Sequence, residues 1–410
     1  MTEPADRDAP YRDDLDTRAG EARLRRLTAY VPVPGTPYVE RDGTRLLSFC
    51  SNDYLGLATH REVIAGAVRA AETHGAGTGA SRLVVGGFDL HDRLERSLAD
   101  LTRRPAALLF NSGFQANSTI IPAVTRRGGV VLCDEGAHRS LLEGGWRSPA
   151  VFHRFRHNDA AHLDRLLAEH AGRPGGALVV TESLFSMDGD LAPLDRICAV
   201  ADRHGARLLV DDAHAIGVHG PGGAGLAAAH DRIDLLVGTF GKAFGSAGAF
   251  VACSETLRAY LVNFCAGVIY STAPAPPAVG AAAAALALIR SGALDQTGFL
   301  ARVGDAHHRL RDAGFDTAPS TTQIMPIRLG DDRAALACET HLRAHGILAV
   351  AIRPPTVPDG TARLRISLSR LHTAAHLDAL VSALEGYRTS QRTDGPETGT
   401  PASVSGGASG

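Results

Sequence analysis

Lysine is almost absent from this chain of 410 residues: Lys242 is the only one, and every other basic residue is arginine. Arginine replaces lysine in ion pairs and anion contacts, but it does not give up its proton near neutral pH. An amine retained alone points to covalent chemistry at that nitrogen; the alternative is a chance survivor in an arginine-biased chain. Excess charge of one sign is also lacking, since 42 basic and 44 acidic residues leave a formal net charge of −2. With no dense basic run, nucleic acid is excluded as the expected partner. Long apolar runs are missing too. The nearest, Ala275–Ile289, is alanine-rich, contains Pro276 and Pro277, and is too short to span a bilayer. The opening residues, MTEPADRDAPYRDDLD, hold neither a basic nor an apolar segment, so no signal peptide is expected. Six scattered cysteines form no C-x-x-C pair and have no histidine at zinc spacing. They read as reduced thiols of a cytoplasmic protein, with no metal and no membrane partner.

What is present is a chain that is 44% hydrophobic, enough for a large core. Near-continuous apolar runs at Ala106–Phe110, Gly129–Cys133, Ala177–Thr181, Arg207–Asp211 and Asp234–Gly238 predict parallel strands covered on both faces. Amphipathic stretches alternate with them: Leu90–Arg104 with Asp89 as its N-cap, Ala160–Ala171, and Leu194–His204 between Pro193 and Gly205. That alternation predicts an α/β fold with a mainly parallel central sheet. After about Ser291 the texture changes. Helices at Phe299–Ala313, Arg333–His345 and Ala374–Tyr387 mix with strands at Gln323–Ile327, Leu348–Ala351 and Ala362–Ser367. The expected division is an N-terminal arm and segment over 1–55, with 1–20 loose, and a large α/β domain over 56–290. A smaller α+β C-terminal domain over 291–389 and a disordered Gly/Ser/Thr/Pro-rich tail over 390–410 complete it.

In open α/β sheets, ligands bind beyond the carboxyl ends of the strands. Those ends here lead into Asp134 and His138, Glu182 and Ser186, Asp211 and His214, and Thr239 and Lys242. An Asp closing a core strand needs a cationic partner or several donors. A protonated pyridine nitrogen is such a partner for Asp211, which then makes the ring an electron sink. On that reading Lys242 reaches an aldehyde carbon, and His214 the phenolic oxygen. Taken singly, Asp211 also reads as a turn cap, and His138 and His214 as ordinary histidines. The joint arrangement favours pyridoxal 5′-phosphate. Asn111-Ser112-Gly113-Phe114 leaves a strand and opens a helix, so its N–H groups suit a phosphate, with hydroxyls from Thr239 and Ser271-Thr272. The glycines of Gly75–Ser81 lack dinucleotide spacing, and those around Lys242 lack the P-loop spacer and the Ser/Thr after lysine.

These blocks resemble the α-oxoamine synthase family of fold-type I pyridoxal-phosphate transferases. The likeness runs from about Arg25 to Tyr387. It is carried by SNDYLGL (Ser51–Leu57), GTGASRLVVGG (Gly77–Gly87), FNSGFQAN (Phe110–Asn117), TESLFSMDGDLAPL (Thr181–Leu194), VDDAHAIGVHG (Val210–Gly220) and TFGKAFG (Thr239–Gly245). The resemblance implies that Lys242 forms the Schiff base, Asp211 pairs with the pyridine nitrogen and His138 stacks on the ring. It implies that His214 and Ser186 contact the phenolic oxygen. Ser112, Gly113, Phe114 and Thr239 would surround the ring and phosphate, with Glu182 a further cofactor contact. Thr272 would reach the phosphate of a neighbouring subunit, which implies a homodimer with shared sites. Arg353 would grip the amino-acid carboxylate as a planar fork, with Asn52 and Arg25 further substrate contacts. The stretch Ala351–Ser369 resembles the branch that joins L-alanine to a pimeloyl thioester in biotin synthesis. Ala215-Ile216 departs from it, because Gly-Thr is frequent there. Glycine- or serine-using relatives are the first alternative. An aminotransferase and a non-catalytic cofactor-binding protein are more distant ones.

Overall fold

The computed structural model describes residues 6–393. Its centre is a seven-stranded sheet in the order Ala106–Phe110, Ala249–Cys253, Leu235–Thr239, Arg207–Asp211, Ala177–Glu182, Val130–Asp134, Val151–Phe155. All neighbours pair in parallel except Ala249–Cys253, which is antiparallel to both of its partners. Four of the strands are buried along their whole length, because helices cover both faces, and polar side chains enter them only at the carboxyl ends, as Asp134 and Thr239. The five strands expected from apolar runs are all present, within a residue at each end. The edge strand Val151–Phe155 has no such run: it reads VFHRF, and only Phe155 is buried.

The helix Asp89–Thr102 places Leu90, Leu94, Leu98 and Leu101 against the core. Its expected N-cap is corrected. Asp89 is already helical, the extended Phe88 precedes it, and the His91 ring accepts the Phe88 N–H at 3.1 Å. The Asp89 carboxylate turns outward to His74 and Arg93 instead. The alanine-rich run becomes the helix Pro276–Arg290, packed on Arg61–His74. The two axes meet at paired glycines. A Cβ on Gly66 would lie 2.6 Å from the Gly280 carbonyl oxygen, so only hydrogen fits there. No helix among the described residues is long and apolar enough to cross a membrane.

Two smaller sheets adjoin this layer. One is an N-terminal meander, Val31–Pro32, Tyr38–Arg41 and Thr44–Ser48, to which Ile347–Leu348 adds in parallel. The other pairs Ile324–Gly330, Ala362–Ser367 and Val350–Ile352 antiparallel. The strand expected at Leu348–Ala351 is therefore two short strands in different sheets, since the chain changes partners at Ala349. An apolar run does not reveal such a switch. The loose arm is also corrected: Ala9–Gly20 is helical, with Pro10 in its first turn, although it buries none of its side chains. The last helix continues from Ala374 to Thr393, so the expected tail begins as helix; the rest of it lies outside the described residues.

Candidate active site

The carboxyl ends of neighbouring parallel strands bring Asp134, Glu182, Asp211 and Thr239 side by side. Glu182 and Asp211 are in direct register. Asp211 is 7% exposed, and its carboxylate is met by neutral donors: Asn117 Nδ2 at 2.6 Å and the Ala213 N–H at 2.9 Å. Asn117 also donates to Ser140 Oγ at 2.9 Å. Beside it, the Glu182 carboxylate accepts the His138 N–H at 2.5 Å. Burial, followed by the adjacent Asp211 charge, pushes the Glu182 carboxyl well above the usual range. His138 caps the helix Arg139–Trp146 and joins Ser140 Oγ through Nδ1 at 2.8 Å. Desolvation lowers its proton affinity despite the Asp211 charge, so the ring is neutral near pH 7.

Lys242 follows the strand Leu235–Thr239, and its Nζ lies 2.9 Å from His214 Nε2. Desolvation brings the amine down to about 8, against the opposing pull of Asp211 and Glu182. His214 is buried, and desolvation followed by the Lys242 charge holds its proton affinity far below the ordinary histidine value. On its other side Nδ1 meets the Tyr54 hydroxyl at 2.7 Å. Tyr54 in turn bonds Asn52 Oδ1 at 3.1 Å. Arg365 closes this group by donating to Asn52 Oδ1 at 3.1 Å, the Tyr54 oxygen at 3.4 Å and the Ser186 carbonyl at 2.6 Å.

Ser112 is the N-cap of the helix Gly113–Val124, accepting the Gln115 N–H at 3.1 Å. The N–H groups of Gly113 and Phe114, in the first turn, have no partner within the helix and face outward. A Cβ on Gly113 would stand 3.9 Å from Thr239 Oγ1, so this helix start abuts the Lys242 loop. Thr272 is exposed, and Asn111 holds its carbonyl at 2.8 Å. Arg353 and Arg25 lie on the wall of a cavity of about 740 Å³ that Ser51 and Cys50 also line. Arg25 donates to Thr356 Oγ1 at 3.2 Å, and Arg353 Nε is buried without a hydrogen-bond partner.

Lys242, Asp211, Glu182, His138 and His214 are thus gathered at one edge. Ser112, Gly113, Phe114 and Thr239 lie next to them, and Ser186 and Asn52 are joined by Arg365. Sequence reading passed over Asn117, Tyr54 and Arg365. Asn117 and Tyr54 lie inside motifs quoted above, and Arg365 alternates with apolar residues in the buried strand Ala362–Ser367, which also holds Arg363, so a polar residue in a core element was the available signal.

A fold of this topology, with a lysine and an aspartate at adjacent strand ends, defines a fold-type I pyridoxal-phosphate enzyme. Residues 44–384 match the family described as aminotransferase class I and II. The chain is 45% identical over 376 residues to a putative 8-amino-7-oxononanoate synthase of Desulfosudis oleivorans, covering 92% of this chain and 97% of that one. It is likewise 45% identical over 378 residues to the 8-amino-7-oxononanoate synthase of Stutzerimonas stutzeri, covering 90% and 96%. Among solved structures, a serine palmitoyltransferase from S. paucimobilis with a bound PLP–myriocin aldimine superposes with a TM-score of 0.87. It is 28% identical, with 95% of this chain and all of that one covered. The chain belongs to the aminotransferase class I and II family, in its α-oxoamine synthase branch, and its cofactor is pyridoxal 5′-phosphate. The residues present suit that group. Asp211 is a buried carboxylate and Lys242 a desolvated amine, and neither makes a salt bridge among the described residues.

Proposed function

We propose that this enzyme is an 8-amino-7-oxononanoate synthase, joining L-alanine to a pimeloyl thioester with release of carbon dioxide and free thiol. The observation that carries the chemistry is that an amine, Lys242, and an acid, Asp211, follow and close adjacent parallel strands, near enough for the Asp211 charge to act on the amine, with no salt bridge to either among the described residues. The substrates are supported by the names of relatives at 43–49% identity over most of the chain.

In this reading Lys242 would hold the cofactor at its aldehyde carbon, and its amine would take the Cα proton of the amino acid. Brought down to about 8, its amine is neutral often enough near physiological pH to serve as that base. When bound, the cofactor supplies an electron sink for the charge left at Cα. Asp211, fixed by Asn117 and Ala213, keeps the pyridine nitrogen protonated. His138 covers the ring and, being neutral, donates a hydrogen bond to the thioester carbonyl. His214 and Ser186 hold the phenolic oxygen, and Glu182 orients His138 through its backbone. Ser112, Gly113, Phe114 and Thr239 hold the phosphate. Arg353 binds the amino-acid carboxylate, with Asn52 and Arg25 completing the substrate wall.

Thr272 is assigned to the phosphate of a second subunit in a homodimer. Its segment is tied to the glycine-rich loop by Ala273 N–H to Ala80 O at 3.0 Å and Thr78 Oγ1 to Ala273 O at 3.1 Å. That loop carries the exposed apolar run Leu83, Val84 and Val85, and Tyr270 is exposed nearby in sequence to Thr272. Such a patch suits burial against a second copy. Six free cysteines, five of them buried, accord with a cytoplasmic setting.

The test is to incubate the purified enzyme with L-alanine, glycine or L-serine and a panel of acyl thioesters, then weigh the products. Serine belongs in the panel because the superposition on serine palmitoyltransferases reaches a TM-score of 0.88. A product from alanine and the pimeloyl thioester is expected. Turnover restricted to serine or glycine overturns the substrate reading.

A further inference from the structure

Beyond the groups placed around the cofactor, His157 stands at the carboxyl end of the edge strand Val151–Phe155. Its Nδ1 lies 2.8 Å from Asp134 Oδ1 and its Nε2 lies 2.9 Å from Asp190 Oδ2. Both partners are buried carboxylates, which when ionised have no proton to donate, so both ring nitrogens must donate. Asn158 reinforces the arrangement: its N–H reaches Asp134 Oδ2 at 2.9 Å and its Nδ2 reaches Asp190 Oδ2 at 2.8 Å.

The two carboxylates belong to different site loops. Asp134 begins the loop that ends at His138. It accepts the Gly136 N–H at 2.8 Å, and a Cβ on Gly136 would lie 2.6 Å from His157 Nδ1. The backbone of that loop therefore rests on the imidazole. Asp190 closes the tight loop after the strand Ala177–Glu182, where its carbonyl accepts the Phe185 N–H at 3.0 Å. Ser186 sits within that loop, and the Phe185 ring stands edge-on to His157 with centroids 4.3 Å apart.

We propose that His157 is a positioning residue whose doubly donating ring clamps the His138 loop to the Ser186 loop, and so sets the cofactor-facing side chains relative to each other. The inference rests on the cofactor site assigned above. Asp134 and Asp190 are the charged groups that face the ring. Glu135 accepts only the backbone N–H of His157, at 3.2 Å. Burial alone would lower the ring's proton affinity, but the two carboxylates outweigh it and bring it up to about 10. The clamp is therefore in place at neutral pH and is released as pH rises through that value.

The test compares wild type, His157→Gln and His157→Arg in the holoenzyme, reading kcat, KM and the induced circular dichroism of the cofactor band. A carboxamide carries its donors on one nitrogen and an acceptor oxygen on the other side, so it cannot replace two donors on separate atoms, whereas a guanidinium can. In His157→Gln, kcat is expected to fall by about 10²-fold, as displacements of about 1 Å far from the chemistry produce. Its dichroic band should shrink while KM changes little, and His157→Arg should recover part of both. Unchanged kcat and dichroism in the Gln variant, or an Arg variant equally impaired though folded, overturns the proposal. If His157→Gln does not fold, Asp190→Asn decides, because its amide can donate to the unprotonated ring. Its dichroic band should then survive pH values at which wild type loses it, and a loss at the same pH overturns the proposal. A wild-type holoenzyme with no cofactor band would instead overturn the cofactor assignment.

Discussion

His214 Nε2 and Lys242 Nζ are 2.9 Å apart; burial depresses the proton affinity of both, and the Lys242 charge lowers that of His214 further. Two nitrogens that compete for protons are held together because the far side of His214 is anchored. Its Nδ1 meets Tyr54, which is itself tied to Asn52 and Arg365. The reactive amine is thus kept short of protons and aimed by a neutral neighbour.

Replacing Lys242 by Ala or Arg should abolish detectable condensation, since neither side chain supplies a neutral amine near pH 7. The visible absorbance of the lysine-bound cofactor should vanish as well. Borohydride reduction of the wild-type holoenzyme should fix one cofactor per chain on the Lys242 peptide, read by mass spectrometry.

The cofactor-free chain should take up pyridoxal phosphate at a rate that rises with pH and levels off above about 8, where Lys242 has lost its proton. An ordinary lysine would keep rising beyond pH 10. Asp211 supports the charged amine, so Asp211→Asn should move the midpoint lower, as stopped-flow absorbance can check. A midpoint that moves upward contradicts the assigned sign.

Asn117→Leu removes the side-chain donor to Asp211 Oδ2. An unsatisfied buried acceptor costs about 1–3 kcal/mol. Thermal melting should fall accordingly in the cofactor-free chain, with a smaller loss once the pyridine nitrogen is bound. Parallel melting curves with and without cofactor measure the difference.

Tyr54→Phe leaves His214 Nδ1 without its buried partner at 2.7 Å. The outcome expected is a shifted cofactor absorbance and a lower kcat, with KM for the thioester little changed. Steady-state kinetics and spectra on one preparation check both, and an unaltered spectrum would show that Tyr54 does not orient His214.

Arg353→Ala should raise KM for the amino acid more than it lowers kcat. The lost charge-assisted hydrogen bonds are worth about 1.5–3 kcal/mol. Arg353 Nε has no protein partner to lose, so the folded chain should be nearly as stable as wild type. Substrate saturation curves and melting curves separate these effects.

Read alone, the amino-acid sequence determined the α/β class, the five core strands that end at the candidate site, and which polar residues stand at their ends. Strands buried on both faces must be continuously apolar, so a charged residue that follows one stands out. The solitary lysine determined where covalent chemistry would be sought. Tertiary structure decided what depends on chain partners far apart in sequence. It placed Asn117 against Asp211 across 94 positions, and it split the run at Ala349 between two sheets. An Asp42-Gly43 pair with both residues at positive φ marked the N-terminal hairpin, a turn signal that stood unused. His157 shows the same limit. Its ring spans Asp134 and Asp190, and only the parallel pairing of separate strands brings two acids to one imidazole, where their combined charge outweighs the cost of burial.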